Sequence, residues 1–205
     1  LHRAFTEPPR SSEQVLHPDK YWDPKKLDEP RVLTIDSSAL VADGWKLLHE
    51  DTLGESSFAL ATSPMNERGG LDATNPMAIM GMRYTNRAAT GWGGDRYVLL
   101  ERGGSLLYLM TSVWDTDGDA IELRSNLEAQ AEFLGQRRVA LAQHMAGPDQ
   151  DSSVEVHVVA EADRFSHALL LNGAEGDRLA DLFTKLAVNE VVEAPVAPLA
   201  PATGR

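Results

Sequence analysis

Residues 97–114 read YVLLERGGSLLYLMTSVW, in which two apolar runs flank a pair of glycines. Tyr97–Glu101 and Leu106–Trp114 are rich in the aromatic, β-branched and aliphatic residues typical of strands. The segment between them, Arg102-Gly103-Gly104-Ser105, indicates a tight turn, because glycine readily adopts the positive φ angles that a short hairpin loop requires. We therefore predict an antiparallel hairpin here, and the remaining elements are arranged around it.

Short strands and amphipathic helices are predicted on both sides of this hairpin. Further strands are expected at Val32–Asp36 and Gly44–Glu50, which flank a turn at 42–44, and at Val154–Val158 and Phe165–Leu171. Helices are expected from Thr52 to Thr62, from Asn75 to Ala88, from Thr116 through Met145, and at Leu179–Leu186. Because neighbouring strands are joined by tight turns, the fold class is α+β: an antiparallel sheet of short strands and hairpins covered by helices.

The chain divides into three parts by composition. Residues 1–31 contain several prolines and are expected to form an irregular N-terminal arm, with one helical turn predicted by the capping-box pair Ser11 and Gln14. Residues 32–192 form the α+β domain. Residues 193–205 form a Pro/Ala-rich tail that is expected to be disordered.

Charge and composition exclude several classes of function. The 205 residues contain 19 Lys and Arg against 31 Asp and Glu, a formal net charge of −12, which disfavours binding to nucleic acids and to anionic membrane surfaces. The chain has no cysteine, which excludes disulfides, thiolate metal sites and cysteine nucleophiles. No stretch approaches 18 apolar residues, so no membrane span is expected in this chain. It begins with Leu1 and no signal peptide precedes that residue, as expected of a mature form or of a fragment.

The segment 91–97, which reads GWGGDRY, is the most unusual in the chain. It lacks the lysine of a nucleotide-binding loop, and a helix rather than a strand is predicted before it. One interpretation is structural: a glycine turn leads into a strand and a tryptophan packs in the core. The other is a small polar binding site beside two tryptophans, whose candidate residues are Trp92, Asp95, Arg96, Trp114 and Asp115.

No catalytic or metal-binding signature is complete in this sequence. The pair His49-Glu50 begins a zinc-protease helix motif, but no second histidine follows at the required spacing. Asp115–Asp119 is similar to the start of a calcium loop but lacks its glycine and glutamate, so capping of the following helix is the favoured interpretation. His157 and His167, with Glu155, are the remaining candidates for a metal site, on two strands predicted to be adjacent. We assign no catalytic residue and no metal ligand to this chain.

Four strings together carry a family resemblance. They are PPRSSEQVLHPDKY at 8–21, TLGE at 52–55, GWGGDRY at 91–97 and WDTDGDA at 114–120. In this order they resemble the C-terminal half of a poorly characterised family of secreted or lipid-anchored bacterial proteins, similar to zinc metallopeptidases in their N-terminal half. The resemblance implies a secreted or cell-envelope location. It implies zinc only in an upstream or partner half, and no cofactor in this chain.

Three functions remain open at this point. The favoured one is a non-catalytic accessory or interaction domain, associated with a metallopeptidase-like half or a partner chain. The first alternative is a free-standing module that binds a small ligand or a protein through the glycine-rich turn and the two tryptophans. The second alternative is a hydrolase that uses a carboxylate pair such as Asp95 and Asp115.

Overall fold

The computed structural model describes residues 2–63, 84–129 and 154–191. Within these ranges the fold is α+β, as predicted, with a five-stranded antiparallel sheet, a separate two-stranded sheet and helices packed against them. None of the described helices has the length and hydrophobicity needed to span a membrane. The predicted helix from 75 to 83, the continuation of the long helix beyond 129 and the tail at 193–205 lie outside the described residues.

The described elements alternate between short helices and longer strands. In chain order they are α1 (His2–Thr6), α2 (Ser12–Leu16), α3 (Asp19–Trp22), β1 (Val32–Asp36), α4 (Ser38–Ala42), β2 (Lys46–Asp51), α5 (Glu55–Thr62), β3 (Trp92–Arg102), β4 (Ser105–Trp114), α6 (Asp117–Ala129), β5 (Val154–Glu161), β6 (Arg164–Leu171), α7 (Leu179–Thr184) and β7 (Ala187–Val191).

The predicted hairpin forms the centre of the main sheet, whose strand order is β2-β3-β4-β6-β5. Gly103 and Gly104 make the turn with φ angles of +58° and +87°, which explains the glycine pair. Strand β3 starts at Trp92, five residues before the predicted boundary, and a bulge lies between Trp92 and Gly94. The glycine-rich segment is therefore mostly strand, because it continues the pairing with β4 up to Trp114.

The turn predicted between β1 and β2 is present at 43–44, but the expectation that it joins them directly as neighbouring strands is wrong. Helix α4 lies between them, and β1 pairs instead with β7, with Leu33 opposite Glu190 and Ile35 opposite Val188. Strand β7 was not predicted, because its pairing partner lies at the other end of the domain and leaves no signal in the local sequence. The predicted helical extension to Ala88 is also wrong for residues 84–88, which are not helical and lead into a turn at 87–90.

Both faces of the main sheet bury apolar side chains. One face packs against β1, α4 and α7, and the opposite face packs against α5 and α6. The second core lies at the end of the sheet where β3 begins and β4 finishes, and it contains the buried residues Phe58, Ala59, Ala89, Trp92, Met110, Trp114, Ala120, Leu123 and Phe165.

The N-terminal arm contains three short helices and buries few side chains. The predicted capping box is confirmed at α2, where the Ser11 hydroxyl accepts a hydrogen bond from the Gln14 backbone N–H at 3.1 Å. In residues 3–31 the buried side chains are Glu13, Gln14 and Tyr21. Large apolar side chains of the arm are exposed instead, namely Phe5, Val15, Trp22 and Leu27.

Candidate functional site

The four strings at 8–21, 52–55, 91–97 and 114–120 meet at one end of the main sheet. Hydrogen bonds join the first string to the second and to the fourth, and the second to the third. We call this region the motif junction. It brings the arm, the start of α5, the start of β3 and the end of β4 into one cluster, and it contains four of the five predicted site residues.

Asp95 is the central polar residue of the motif junction. Its carboxylate accepts three hydrogen bonds, from the backbone N–H of Leu53 at 2.7 Å, from the backbone N–H of Gly54 at 2.8 Å and from Trp92 Nε1 at 2.8 Å. The side chain is only 3% exposed, and this burial raises its pKa while the three donors oppose the rise. Asp95 of β3 thus binds the two backbone N–H groups that lead into α5, those of Leu53 and of the N-cap residue Gly54, whereas α5 has no side-chain cap.

The two predicted tryptophans are buried beside Asp95. Trp92 and Trp114 occupy paired positions on β3 and β4. Trp114 is fully buried, its Nε1 donates to the Ser112 hydroxyl at 3.0 Å, and its ring meets Phe58 of α5 edge to face with centroids 5.5 Å apart. Both indole N–H groups are therefore satisfied inside the protein, and the rings contribute to the core.

Two glycines of this segment are required by close approach. A Cβ atom on Gly94 would lie 2.1 Å from the backbone oxygen of Arg31, where the arm enters the domain. Gly91 has a φ of +85°, and a Cβ there would lie 2.6 Å from Cγ of Asp119. The Arg31 backbone N–H also donates to the Gly93 carbonyl at 2.6 Å, so these glycines let the arm and α6 pack on the strand backbone.

Lys20 of the arm lies among three carboxylates. Its ammonium group donates to Glu13 Oε1 at 2.6 Å, to Asp28 Oδ2 at 2.8 Å and to Asp115 Oδ2 at 2.6 Å. Oxygen atoms of these three acidic residues lie within 4.8 Å of one another, the kind of arrangement that can hold a cation. In this structure the ammonium group of Lys20 is the cation that these three carboxylates bind.

The electrostatics of this cluster are unbalanced, because one ammonium group faces three carboxyl groups. Burial raises the pKa of Glu13 from 4.5 to about 7, and Lys20 only partly opposes that rise. Burial also raises the pKa of Asp115, again against the effect of Lys20. Burial disfavours the charged form of Lys20 itself, but its hydrogen bonds to Asp115, Asp28 and Glu13 raise the pKa of the ammonium group overall.

A histidine and a glutamate form a second link between the arm and the domain. His17 Nε2 lies 2.9 Å from Glu55 Oε1, and the Thr85 hydroxyl donates to the same oxygen at 2.5 Å. Glu55 is fully buried, and its second oxygen, Oε2, has no hydrogen-bond partner. The His17 side chain is partly exposed. A carboxylate that orients an imidazole is an arrangement used by catalytic and metal-binding histidines, although no further ligand converges on His17 among the described residues.

The predicted site residues are thus only partly brought together. Trp92, Asp95 and Trp114 form one buried cluster. Asp115 is the next residue in the sequence after Trp114, but its carboxylate binds Lys20 of the arm instead of joining this cluster. Arg96 lies on the other face of β3, because successive side chains of a strand alternate, and its guanidinium group pairs with Glu50 at 3.1 Å. Asp95 and Asp115 have separate partners and do not share a site.

The other metal candidates are separated by the strand register. His157 is paired with Ala168, and His167 is paired with Val158, so the two imidazoles lie on opposite faces of the sheet. The Glu155 carboxylate accepts the backbone N–H of Leu179 at the start of α7.

The acidic run at 115–119 provides the cap of α6, as the favoured interpretation predicted. The Thr116 hydroxyl accepts from the Asp119 N–H at 3.2 Å, and Asp119 Oδ2 accepts from the Thr116 N–H at 3.1 Å. This reciprocal pair satisfies two backbone groups at the helix N-terminus.

Sequence reasoning missed five residues of the motif junction. They are Glu13, His17, Lys20, Asp28 and Glu55, and four of them lie within the strings that carry the family resemblance. The sequence did indicate that these strings contain charged residues without an oppositely charged or capping partner nearby in the sequence. Their partners are far away in the sequence, with 95 positions separating Lys20 from Asp115, so no spacing rule identifies them.

Residues 46–182 match the model of a family described as a domain of unknown function, DUF8575. The matched range contains Glu55 and Asp115 but not the arm whose His17 and Lys20 contact them. No curated protein and no solved structure matches the chain.

Proposed function

The chain belongs to this family of unknown function, DUF8575, and we propose that it is a non-catalytic domain that associates with another protein, either a metallopeptidase-like half or a partner chain. The observation that carries the proposal is that the two predicted site carboxylates of the motif junction, Asp95 and Asp115, are already bound by groups of the protein itself. The Asp95 carboxylate accepts hydrogen bonds from three N–H groups of the protein, and the Asp115 carboxylate accepts one from the Lys20 ammonium group. A substrate would have to displace these contacts, which also hold the fold together.

The arm supports the same proposal, because it offers apolar surface to a partner. Phe5 is 84% exposed and Trp22 is 47% exposed, and Val15 and Leu27 are exposed as well. Aromatic side chains are enriched at the centres of protein–protein interfaces, where they bury large areas at low entropic cost. Arg3 stacks on the rings of Tyr21 and Trp22, which holds α1 and α3 together.

Site-specific photo-crosslinking in the cells that produce the protein tests this proposal. A photo-reactive amino acid is placed at position 5 or 22, and at position 121 in the matched control, because Ile121 of α6 is 59% exposed but lies outside the arm. We expect a discrete cross-linked partner from positions 5 and 22 and none from position 121. Mass spectrometry then shows whether that partner carries a zinc-peptidase motif.

A peptidase assay on the purified chain provides the opposing test. The chain is loaded with zinc and incubated with a peptide library, with chelator-treated protein as the control. We expect no metal-dependent cleavage. Cleavage that disappears on chelation, or cross-linking that is equal at all three positions, contradicts the proposal.

A further inference from the structure

The arm is attached to the domain mainly by charged and polar contacts. The buried side chains in residues 3–31 are two polar ones, Glu13 and Gln14, and a single aromatic one, Tyr21. Segments that bury little apolar surface open locally at a lower free energy than the core does. The arm is therefore able to detach while the five-stranded sheet stays folded.

Two of the contacts that hold the arm change with protonation. The first is the cluster in which Lys20 binds Glu13, Asp28 and Asp115, with Asp119 of α6 acting on Asp115. When all three carboxylates are ionised, a single ammonium group leaves two negative charges uncompensated in a partly buried site. A proton on Glu13 relieves this excess and leaves a group that still hydrogen-bonds.

The second contact is His17 against the buried Glu55. A protonated imidazole adds a positive charge beside the Glu55 carboxylate, whereas a neutral imidazole provides only a hydrogen bond. Proton uptake therefore strengthens both contacts in the same direction.

Among the described residues, a further charged link of the arm, at Arg31, stays ionised at neutral and mildly acidic pH. Arg31 donates to Asp163 Oδ2 at 2.5 Å and to both oxygens of Glu190 at 2.7 and 2.8 Å. The hydrogen bonds from Arg31 lower the pKa of Glu190, so this link stays ionised down to acidic pH. It ties the C-terminal end of the arm to the domain while the segment before it opens.

We propose that residues 2–22 form a proton-controlled latch, which is clamped on the motif junction in mildly acidic conditions and loosened at neutral and alkaline pH. The latch is a property of this chain alone, so it is tested without a partner and its failure is separate from that of the proposed function. Opening would expose the Glu55 carboxylate, remove Lys20 from the already exposed Asp115, and free the arm to reach a partner.

Hydrogen exchange read by mass spectrometry at pH 5 and pH 8, corrected for the intrinsic pH dependence of exchange, tests the latch. Because closure of the arm is linked to protonation of Glu13, we expect the hydrogen-exchange protection factors of residues 12–22 to be about tenfold or more lower at pH 8 than at pH 5. The protection factors of β3 and β4 should change little. In Glu13→Gln, whose neutral side chain still accepts from Lys20, the fall should shrink to less than about threefold.

Glu7→Gln is the matched control, because it removes an exposed acidic residue of the same segment that pairs with Arg3 at 3.6 Å. Its pH profile should match the wild type. His17→Gln provides a second variant, and it should loosen the arm at pH 5. A parallel loss of protection in arm and sheet, or an unchanged profile in both Glu13→Gln and His17→Gln, would overturn the latch.

Discussion

Lys20 and Asp115 are 95 positions apart in the sequence, yet their Nζ and Oδ2 atoms lie 2.6 Å apart and join the arm to the end of β4. The same ammonium group also binds the buried Glu13. Among the residues that the structure describes, the positive charge that binds all three carboxylates of this cluster therefore lies on a segment outside the matched family range.

Replacing Lys20 tests how much that charge contributes. Lys20→Met should lower the free energy of unfolding by about 3 kcal/mol at pH 8, because it leaves three neighbouring carboxylates without a counter-charge. At pH 5 the loss should be smaller, since the carboxyls with raised pKa values take up protons. Urea unfolding at both pH values measures the difference. Lys26→Met, which removes an exposed partner of Asp19, is the control and should show little change at either pH.

Glu13 makes the stability of the wild type depend on pH in a defined direction. Its pKa is raised from 4.5 to about 7, so the folded protein binds a proton that the unfolded chain has released. The contribution of Glu13 to the free energy of unfolding is therefore greatest below pH 4.5, and it is lost as the pH rises to about 7. Urea titrations of the wild type and Glu13→Gln between pH 5 and 8 should show a shallower decline in the variant. Equal slopes would show that Glu13 is ionised throughout.

Asp95 should be essential for stability and Arg96 should not. In Asp95→Asn an amide must replace a carboxylate that accepts three buried N–H donors, and we expect a loss of about 3 kcal/mol. Arg96→Gln, which breaks an exposed pair with Glu50, should cost less than about 0.5 kcal/mol. Chemical denaturation at pH 7 measures both. Similar values for the two variants would contradict the structural role of Asp95.

Gly94 should not accept a side chain. In Gly94→Ala the new Cβ meets the Arg31 backbone oxygen at 2.1 Å, so β3 or the arm must shift, at a cost of about 2 kcal/mol or more. Gly118→Ala in the first turn of α6 is the control, with its nearest neighbour at 3.4 Å, and should change stability by less than about 1 kcal/mol. Thermal unfolding compares the two, and a fully stable Gly94→Ala protein would refute the close approach.

Substitution of the buried Trp114 should lower the free energy of unfolding much more than substitution of the exposed Trp22. Trp114→Phe leaves a cavity in the second core and removes the hydrogen bond to Ser112, for an expected loss of about 2–3 kcal/mol. Trp22→Phe alters a ring that is 47% exposed and should cost less than about 0.5 kcal/mol. Equilibrium unfolding followed by circular dichroism measures both, because it does not depend on tryptophan emission. A small effect at Trp114 would place that ring outside the core.

Most of the local structure could be predicted from the sequence. The glycine pair at 103–104 between apolar runs predicted the central hairpin, and Ser11 with Gln14 predicted the cap of α2. The acidic run before α6 predicted its capping by Asp119. These features depend on residues within a few positions of one another, where turn and cap geometry is decided by the local chain.

The candidate site could be predicted only in part. The tryptophans and Asp95 were identified as unusual, but the sequence did not distinguish a binding site from a core, because burial depends on which helices cover the strand. Arg96 was grouped with Asp95 by proximity, although strand alternation separates their side chains. His17 and Glu55 were not identified, since neither has a local partner.

The sequence alone determined the fold class, the central hairpin and the caps of α2 and α6, because hydrophobic period, glycine conformation and hydrogen bonds over three or four residues are local. Only the tertiary structure decided that β1 pairs with β7 and that Lys20 neutralises Asp115. It also decided that Asp95 binds the backbone that leads into a helix on another segment. Each of these contacts joins groups that chain folding brings together from distant positions, and their free energy comes from shared burial and complementary charge, which no short stretch of sequence encodes.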